Sequence, residues 1–323
     1  MQILRTQVRV FAFFLFNQII KLPFGLTIFN WVYERSNPKW VNILNTHIVL
    51  PNKDAVWKIK LNNGEIVKTR LIKNKPIMRH VAMGYRWHDS SINRIETVIV
   101  DYFAFKYKST SYFIDAGSNM GMRSMCALSR NLNVIMIEPN KDTNEINLDR
   151  CLLNNFKNYT LYDVGISNED TSKTIYFERS SYLSTLNENV ARQQGLSITN
   201  EVVINVNRLD TLLSDKLKKQ NHFFIKMDIE GHEIEALEGC SELLKESNIT
   251  LLIEIIDKGE HIERIFKMMW DLGFRIFEKI PLNHQDIFLR EKLKSNHRHD
   301  FIEDDFLFIK SKDVLSIFQN KIA

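Results

Sequence analysis

The chain has 323 residues, of which 44% are hydrophobic and 25% are charged, as in an ordinary globular protein with a sizeable core. Its three cysteines, Cys126, Cys151 and Cys240, are widely spaced and form no C-x-x-C pair. This spacing excludes a disulfide framework and a cysteine zinc site, and it suits a reducing cytoplasm.

The net charge of +4 conceals an uneven distribution along the chain. Residues 1–110 hold 17 lysine and arginine residues against six acidic residues, whereas the rest of the chain holds 26 against 33. A basic front region suits anionic lipid, a nucleotide-linked sugar or an acidic glycan, and it equally suits an ordinary solvated surface. Charge alone leaves these alternatives open.

Residues 1–45 are predicted to form an apolar and basic helical segment. The longest clean apolar run, residues 10–16, is far shorter than the roughly 20 residues of a membrane span, and no signal-peptide cleavage site follows it. Arg5, Arg9 and Lys21 flank aromatic and aliphatic side chains, as in a helix that lies in a membrane interface or packs on the domain. The sequence therefore predicts a cytoplasmic protein in which residues 1–33 make peripheral contact with the inner membrane face or pack on the domain.

Residues 46–90 are predicted to form a small β-hairpin region. Two β-prone runs, 55–61 and 66–72, flank Asn62-Asn63-Gly64, which is a strong hairpin signal. Residues 90–107 follow with apolar side chains at helical spacing.

From residue 112 onward, predicted strands and helices alternate, which favours a mostly parallel sheet with helices on both faces. Residues 91–323 are therefore expected to be one α/β domain. Its predicted strands are residues 112–114, 134–137, 159–164, 223–227, 250–256, 274–278 and 306–309. A hairpin of residues 174–177 and 202–206 interrupts this alternation, and the polar segment 283–304 is predicted to be a loop.

The stretch 112–121 reads Y-F-I-D-A-G-S-N-M-G and is the centre of the predicted domain. A short strand, a glycine turn and a helix N-terminus are expected to place free backbone N–H groups beside a small ligand. The spacing D-x-G-x-x-x-G differs from the G-x-G-x-x-G of dinucleotide-binding proteins, and it lacks the lysine of a P-loop.

Acidic side chains follow the predicted strands at the edge where ligands bind in such sheets. An acid at the end of the second strand, Glu138, suits both hydroxyls of an adenosine ribose. The alternative is that these acids cap helices. The candidates are Asp115, Glu138, Asp163, Asp228 and Glu230.

Four motifs occur in order along the chain: F-I-D-A-G-S-N-M-G, I-E-P-N, R-L-D-T-L and I-K-M-D-I-E-G-H-E. Over residues 95–310 they resemble the FkbM family of S-adenosylmethionine-dependent methyltransferases. The resemblance implies an α/β fold of the class I methyltransferase (Rossmann-like) type, a seven-stranded sheet whose last strand is antiparallel. It also implies O-methylation of sugars or natural-product hydroxyls. Two positions depart from the family pattern, Ser118 and His232.

The same resemblance assigns the cofactor contacts. Glu138 would hold the ribose of S-adenosylmethionine, and Asp163 would border its adenine. The methionine end would be lined by Asp115, Gly117, Asn119 and Gly121.

Methyl transfer to a sugar hydroxyl needs a group that takes the hydroxyl proton. Asp228 is expected beside the acceptor, with Glu230 or His232 as the general base. The alternative for His232 is an exposed residue on the first turn of a helix. Lys226 is expected to pair with one of these acids, and no metal ligands are predicted.

The predicted function is therefore methylation of a small-molecule or glycan acceptor, without a nucleic-acid partner. One alternative is a nicotinamide-dependent dehydrogenase, because Glu138 also suits the ribose of that cofactor, but the G-x-G-x-x-G motif is missing. A second alternative is a non-catalytic, membrane-associated binding protein on a methyltransferase fold. The sequence carries no signal for an oligomeric state.

Overall fold

A computed structural model describes residues 54–60, 65–71, 94–178, 198–217, 221–246, 248–256, 259–280, 288–293 and 304–322, together with residue 73, residues 184–185 and parts of 15–31. The chain divides into two compact units, residues 1–93 with 148–156, and residues 94–147 with 157–323. The predicted domain boundaries at residues 45 and 90 lie outside the described residues. Among the helices of the described residues, none has both the length and the apolar character that a bilayer crossing needs.

The first unit contains an antiparallel pair of strands, β1 (Ala55–Lys60) and β2 (Ile66–Leu71), as the hairpin signal predicted. The turn at residues 62–64 lies outside the described residues. Side chains alternate along β2 so that Val67 and Leu71 are buried, together with Trp57 of β1. The amide of Asn154 pairs with the backbone of Lys68, accepting at 2.7 Å and donating at 2.8 Å.

The second unit is built from strands and helices that largely alternate. Its first half contains α1 (Arg94–Lys106), β3 (Ser111–Ala116), α2 (Met122–Ser129), β4 (Asn133–Ile137), α3 (Lys141–Leu153), β5 (Tyr159–Tyr162), β6 (Gly165–Ile166), β7 (Thr171–Glu178), β8 (Ser184–Thr185) and β9 (Ile198–Asn207). Its second half contains α4 (Leu209–Leu212), β10 (His222–Met227), α5 (Glu233–Glu238), β11 (Ile249–Glu254), α6 (Glu260–Asp271), β12 (Arg275–Ile280), β13 (Phe288–Lys292), β14 (Asp305–Ile309) and α7 (Lys312–Phe318).

The main sheet has eight strands in the order β13-β12-β14-β11-β10-β3-β4-β5. Strands β5, β4, β3, β10 and β11 are parallel neighbours, whereas β14 runs antiparallel between β11 and β12. The α/β class and the antiparallel last strand agree with the prediction. The eighth strand, β13, was not predicted.

Alternation along the strands gives the sheet two different faces. Ile114, Ile225 and Leu251 point to one face, where they pack with Ile234 of α5 and Phe266 of α6 in a continuous apolar core. Burying each such side chain stabilises the fold by roughly 1.5–3 kcal/mol. The neighbouring strand residues point to the opposite face.

That opposite face is covered by α1 and α2. The ring of Phe103 on α1 lies 6.2 Å from that of Phe224 on β10, and Phe224 lies 5.4 Å from Phe113 on β3. The sheet therefore has helices on both faces, as predicted.

A second, smaller sheet interrupts the alternation, as predicted from the hairpin signal. Strands β7 and β9 pair antiparallel from Thr171↔Val206 to Glu178↔Ile198, over more residues than the sequence indicated. The segments 179–183 and 186–197 lie outside the described residues.

The prediction that residues 283–304 form only a loop is wrong at β13. This strand is highly charged, but it lies at the sheet edge and pairs with β12. There Glu278 of β12 is fully buried, and it forms ion pairs with Arg290 and with Lys292, the latter at 2.9 Å. These ion pairs explain how a polar sequence forms a strand, because a buried carboxylate must be matched by nearby cations.

Candidate active site

Asp115 and Asp228, two of the predicted acidic residues, lie on one face of the sheet because they occupy alternate positions of adjacent strands. Asp115 follows Phe113 on β3, and Lys226 and Asp228 follow Phe224 on β10, while the residues between them enter the apolar core. Lys226 is the direct neighbour of Asp115 across the β3–β10 pair. The topology therefore gathers charged groups at the carboxyl ends of the parallel strands, beneath α1 and α2.

The turn after β3 brings two strand ends unusually close together. Gly117 has φ +77°, and a Cβ at this position would lie 1.9 Å from the backbone oxygen of Asp228. The Asp228 N–H also donates to Ala116 O at 3.0 Å. Only glycine combines this backbone conformation with such a close approach.

The backbone amides of this turn are satisfied within the protein. The N–H groups of Gly117 and Ser118 both donate to Ile137 O, at 3.0 and 3.1 Å, and that of Gly121 donates to Ser118 O. The N–H of Asn119 donates to Glu138 Oε2 at 2.9 Å. The expectation of free N–H groups beside a ligand is therefore wrong for these four residues.

Glu138, the residue after β4, is held in one orientation. Its other carboxylate oxygen, Oε1, accepts the N–H of Asn140 at 2.8 Å. Burial raises the pKa of Glu138 to about 7, although both backbone hydrogen bonds oppose this shift. The Glu138 side chain therefore changes its charge near neutral pH.

Asp163 lies beside the same strand end. The side-chain amide of Asn144 on α3 donates to Glu138 O at 2.6 Å and also donates to the Asp163 carboxylate. Asp163 itself is exposed. The structure thus brings together Gly117, Asn119, Glu138 and Asp163, four of the residues predicted to bind a cofactor.

Asp115 is buried and contacts the first turn of α2. Its Oδ2 accepts the N–H of Ser124 at 3.1 Å and the hydroxyl of Ser124 at 2.6 Å. Burial raises the pKa of Asp115, while Ser124 and the Arg123 guanidinium oppose this shift. These contacts are those of a helix-capping acid, so the capping alternative describes what Asp115 does in this structure.

Lys226 is the centre of a cluster of carboxyl groups, as its predicted pairing with an acid required. Its ammonium nitrogen lies 3.5 Å from Asp228 Oδ2, 3.6 Å from Glu254 Oε2 and 3.6 Å from Asp305 Oδ1. Burial opposes its charge, but the surrounding carboxylates raise the pKa of Lys226 above its ordinary value. The cluster is therefore organised around a permanently charged ammonium group.

Asp228 and Glu254 lie next to each other within this cluster, since both carboxyl groups contact the Lys226 ammonium. Burial and the Asp228 carboxylate raise the pKa of Glu254 to about 8. Burial would also raise the pKa of Asp228, but Lys226 brings it below its ordinary value. At neutral pH, Asp228 is therefore ionised, whereas Glu254 is largely protonated.

A further ion pair, between residues of α1 and α2, lies next to this cluster. Arg123 on α2 lies 2.6 Å from Glu96 on α1, and both side chains are largely buried. Burial raises the pKa of Glu96 to about 7 although Arg123 opposes the shift. Lys226 and Asp305 also act on Glu96, so the helix residues and the strand-end residues form one electrostatic network.

The turn after Asp228 has two residues with positive φ, and the Glu233 side chain holds its backbone in place. Glu230 and Gly231 have φ values of +53° and +93°. The N–H of Gly231 donates to Glu233 Oε1 at 2.8 Å, and Glu233 Oε2 lies 2.9 Å from His261 Nε2. The buried Glu233 carboxylate therefore links this turn to the start of α6.

His232 is buried, so the alternative that it is an exposed residue on a helix is wrong. Its Nε2 lies 3.1 Å from the hydroxyl of Ser167, and its Nδ1 lies 3.5 Å from Glu235 Oε2. Burial lowers the pKa of His232. These contacts tie His232 to the segment after β6, whereas those of Asp228 are with Lys226 and Glu254.

Four residues of the site were not identified from the sequence: Glu96, Arg123, Glu254 and Asp305. The sequence held a signal for Glu254, because this acid lies at the end of a buried strand, as Glu138 does. The signal was missed because the strand was predicted to extend to residue 256. Asp305 begins the antiparallel strand β14, whose amino end lies at the same edge of the sheet. Glu96 and Arg123 come from helices, and their approach depends on tertiary packing.

The chain is similar in sequence to known methyltransferases. The sequence model described as "Methyltransferase FkbM domain" matches residues 115–276. Methyltransferase 1 of Beauveria bassiana is 22% identical over 192 residues, which are 54% of this chain and 76% of that protein. Hexuronic acid methyltransferase AglP of Haloferax volcanii is 28% identical over 139 residues, which are 43% of this chain and 53% of that protein.

Among solved structures, the FkbM methyltransferase of Methylobacillus flagellatus has a TM-score of 0.39 and 15% identity to this chain. The similarity covers 73% of this chain and 55% of that one. The chain thus spans about half the length of both AglP and the crystallised protein.

Proposed function

Since this chain belongs to the FkbM methyltransferase family, we propose that it is an S-adenosylmethionine-dependent O-methyltransferase. The proposed acceptor is a sugar hydroxyl of a glycan, glycolipid or polysaccharide precursor. The observation that carries the proposal is the Glu138 carboxylate, which two backbone N–H groups orient beside the glycine turn. A carboxylate in this position suits the two neighbouring hydroxyls of a ribose.

The residues of the turn have the chemistry that the cofactor requires. Gly117 lets the turn approach the backbone of Asp228, and Gly121 lets it approach the Asn147 side chain, since a Cβ at Gly121 would lie 2.4 Å from Asn147 Oδ1. We assign the methionine end to Asp115, Gly117, Asn119 and Gly121, the ribose to Glu138, and the adenine edge to Asp163. When bound, S-adenosylmethionine supplies an electrophilic methyl group on sulfur.

We assign Asp228 to the acceptor hydroxyl. Its carboxylate is ionised beside Lys226 and is 36% exposed, so it can accept a hydrogen bond from a hydroxyl that arrives from solvent. Glu230 and His232 stay as predicted proton acceptors, although Nε2 of His232 already contacts Ser167. Positioning by these groups supplies a large part of the acceleration in a displacement of this kind.

Two observations support a sugar as the acceptor. The relative from Haloferax volcanii is described as a hexuronic acid methyltransferase. The excess of 17 basic over six acidic residues in positions 1–110 also suits an acidic glycan. We therefore propose hexuronides as the first acceptors for assay.

Titration calorimetry with S-adenosylmethionine tests the cofactor. The ionised Glu138 accepts ribose hydroxyls better than the protonated form, so affinity should fall as pH falls through about 7. The wild type is expected to bind about tenfold more tightly at about pH 8 than at about pH 6. Glu138→Gln should bind at least about tenfold more weakly at the higher pH, since it loses a charged hydrogen-bond acceptor.

Glu138→Gln also controls for titration of the ligand, because the amino group of S-adenosylmethionine changes its charge in the same pH range. The pH dependence that is left in this variant belongs to the ligand, and the difference from the wild type belongs to Glu138. Saturable binding of NADH without binding of S-adenosylmethionine would contradict the methyltransferase proposal and favour a dehydrogenase. If folded protein binds neither S-adenosylmethionine nor NADH, the result would favour the non-catalytic alternative.

We also propose that residues 1–33 contact an anionic membrane surface. Within this segment, Phe24 and Ile28 are 78% and 52% exposed. The N–H of Ile28 donates to Phe24 O at 3.1 Å, so the two lie one helical turn apart on the same side. Exposed apolar side chains near basic residues suit the interface of an anionic bilayer.

Sedimentation with lipid vesicles tests this contact. The wild type should pellet with phosphatidylglycerol-containing vesicles and less so with pure phosphatidylcholine, and added salt should weaken the binding. Phe24→Ser with Ile28→Ser should abolish it. Phe105→Ser is the control, because this phenylalanine is 84% exposed in the other unit. Equal losses in the control, or no vesicle binding by the wild type, would contradict the proposal.

A further inference from the structure

Glu254 ends β11, and its carboxyl group shares the Lys226 ammonium with Asp228. The two carboxyl groups therefore lie next to one ammonium, and burial together with the charge of Asp228 favours a proton on Glu254. The side chains of Glu254 and Asp228 are 35% and 36% exposed, whereas that of Lys226 is 4% exposed. A molecule that enters from solvent therefore reaches the carboxyl groups and not the ammonium.

Charged groups from every neighbouring element face this pair. Strand β10 contributes Lys226, and β14 contributes Asp305, the direct neighbour of Glu254 in the sheet. The helices α1 and α2 contribute the ion pair of Glu96 and Arg123. Strand β3 contributes Asp115, the direct neighbour of Lys226. These five carboxyl groups outnumber the two cations, so the cluster favours a proton on one of its carboxyl groups.

We propose that Glu254 is a catalytic residue that takes the proton of the acceptor hydroxyl while Asp228 orients that hydroxyl, an inference that rests on the proposed methyl transfer. In this step the acceptor oxygen forms a bond to the methyl carbon as the carbon–sulfur bond breaks. The electron pair of the broken bond goes to sulfur, and the hydroxyl proton goes to the Glu254 carboxylate. The products are a methyl ether, a neutral thioether and a protonated Glu254, which then releases its proton to solvent.

Glu254 is better suited to this role than its neighbours. Lys226 makes Asp228 a weak base, because it stabilises the ionised carboxylate. Burial and the charge of Asp228 make Glu254 a stronger base, with a pKa of about 8, near the pH at which the enzyme must work. His232 directs its Nε2 to Ser167 instead.

The experiment measures methyl transfer from radiolabelled S-adenosylmethionine to p-nitrophenyl glucuronide, a soluble hexuronide. Glu254→Gln should lower kcat by about 10²–10⁴-fold, with little change in KM or in cofactor binding. The wild-type rate should rise with pH through about 8, since the base must be ionised. Asp305→Asn should move this profile to lower pH, because it removes a negative charge beside Glu254.

These readouts separate a catalytic role from a structural one. A residue that only stabilises the fold would change the amount of active enzyme and leave the pH profile in place. Glu254→Asp replaces Glu254→Gln if the latter fails to fold, and it should also lower kcat because its carboxylate is displaced from the hydroxyl. Wild-type kcat and an unchanged pH profile in Glu254→Gln would overturn the proposal.

Failure of the proposed function gives a different result. If the wild type does not bind S-adenosylmethionine, the cofactor assignment fails. If it binds the cofactor but methylates no hexuronide, the acceptor assignment fails, and infrared spectroscopy then decides the role of Glu254. A protonated-carboxyl band at about pH 6 that loses intensity in Glu254→Gln supports a proton on Glu254. Identical spectra of the two proteins overturn it.

Discussion

Replacing Gly117 by alanine is expected to lower the free energy of unfolding by about 4 kcal/mol or more, an exceptional loss for one methyl group. Two separate effects add up at this position. The φ of +77° is unfavourable for any residue with a Cβ, by roughly 1–2 kcal/mol. The new Cβ would also lie 1.9 Å from the backbone oxygen of Asp228, and neither backbone can turn aside as a flexible side chain would.

Gly273→Ala is the matched control, because it separates the two effects. Gly273 has a φ of +85°, but a Cβ built there meets no atom within 4 Å. This variant should lose only roughly 1–2 kcal/mol, which is the conformational part. Urea unfolding of both variants gives the comparison, and S-adenosylmethionine binding should be lost only in Gly117→Ala. Equal losses in the two variants would mean that the ends of β3 and β10 separate without difficulty.

Gly117 also illustrates what the sequence predicts well. Its place after the apolar run Tyr112-Phe113-Ile114 predicted a strand followed by a tight turn, because a short apolar run that is followed by glycine is typical of that structure. The same logic located Glu138 after β4 and Asp228 after β10. The local sequence pattern was sufficient to locate a site residue wherever an acid followed a buried strand, since the carboxyl ends of parallel strands lie at one edge of the sheet.

The sequence was insufficient where a contact depends on the pairing of distant elements. Glu254 and Asp228 contact the same Lys226 ammonium because β10 and β11 are neighbours, and Asp305 joins them because β14 runs in the opposite direction. The direction of the His232 ring depends on where Ser167 lies, 65 residues away in sequence. The charged strand β13 depends on the buried carboxylate of Glu278 opposite it.

Replacing Lys226 by methionine is expected to be the most damaging change to the charged cluster. Methionine fills a similar volume, but it removes the ammonium that contacts the carboxyl groups of Asp228, Glu254 and Asp305. Breaking a buried ion pair from one side costs about 3–5 kcal/mol, because the remaining charges stay buried and uncompensated. Without the ammonium, the pKa values of these carboxyl groups should rise in the folded protein and stay ordinary in the unfolded chain.

The direction of the pH dependence follows from that difference. A carboxyl group with a raised pKa in the folded state binds its proton more tightly there, so the stability it gives is present at low pH and is lost as pH rises through the folded pKa. The loss caused by Lys226→Met should therefore be larger at about pH 8 than at about pH 5.

Lys310→Met is the control, since Lys310 is half-buried but donates to the carbonyl oxygens of Leu244 and Lys245 instead of to carboxylates. Its smaller loss, about 1 kcal/mol for the hydrogen bonds removed, should be the same at both values of pH. If the loss in Lys226→Met were equally independent of pH, Lys226 would stabilise the sheet through the packing of its methylene groups, and the carboxyl groups around it would keep their protons without its help.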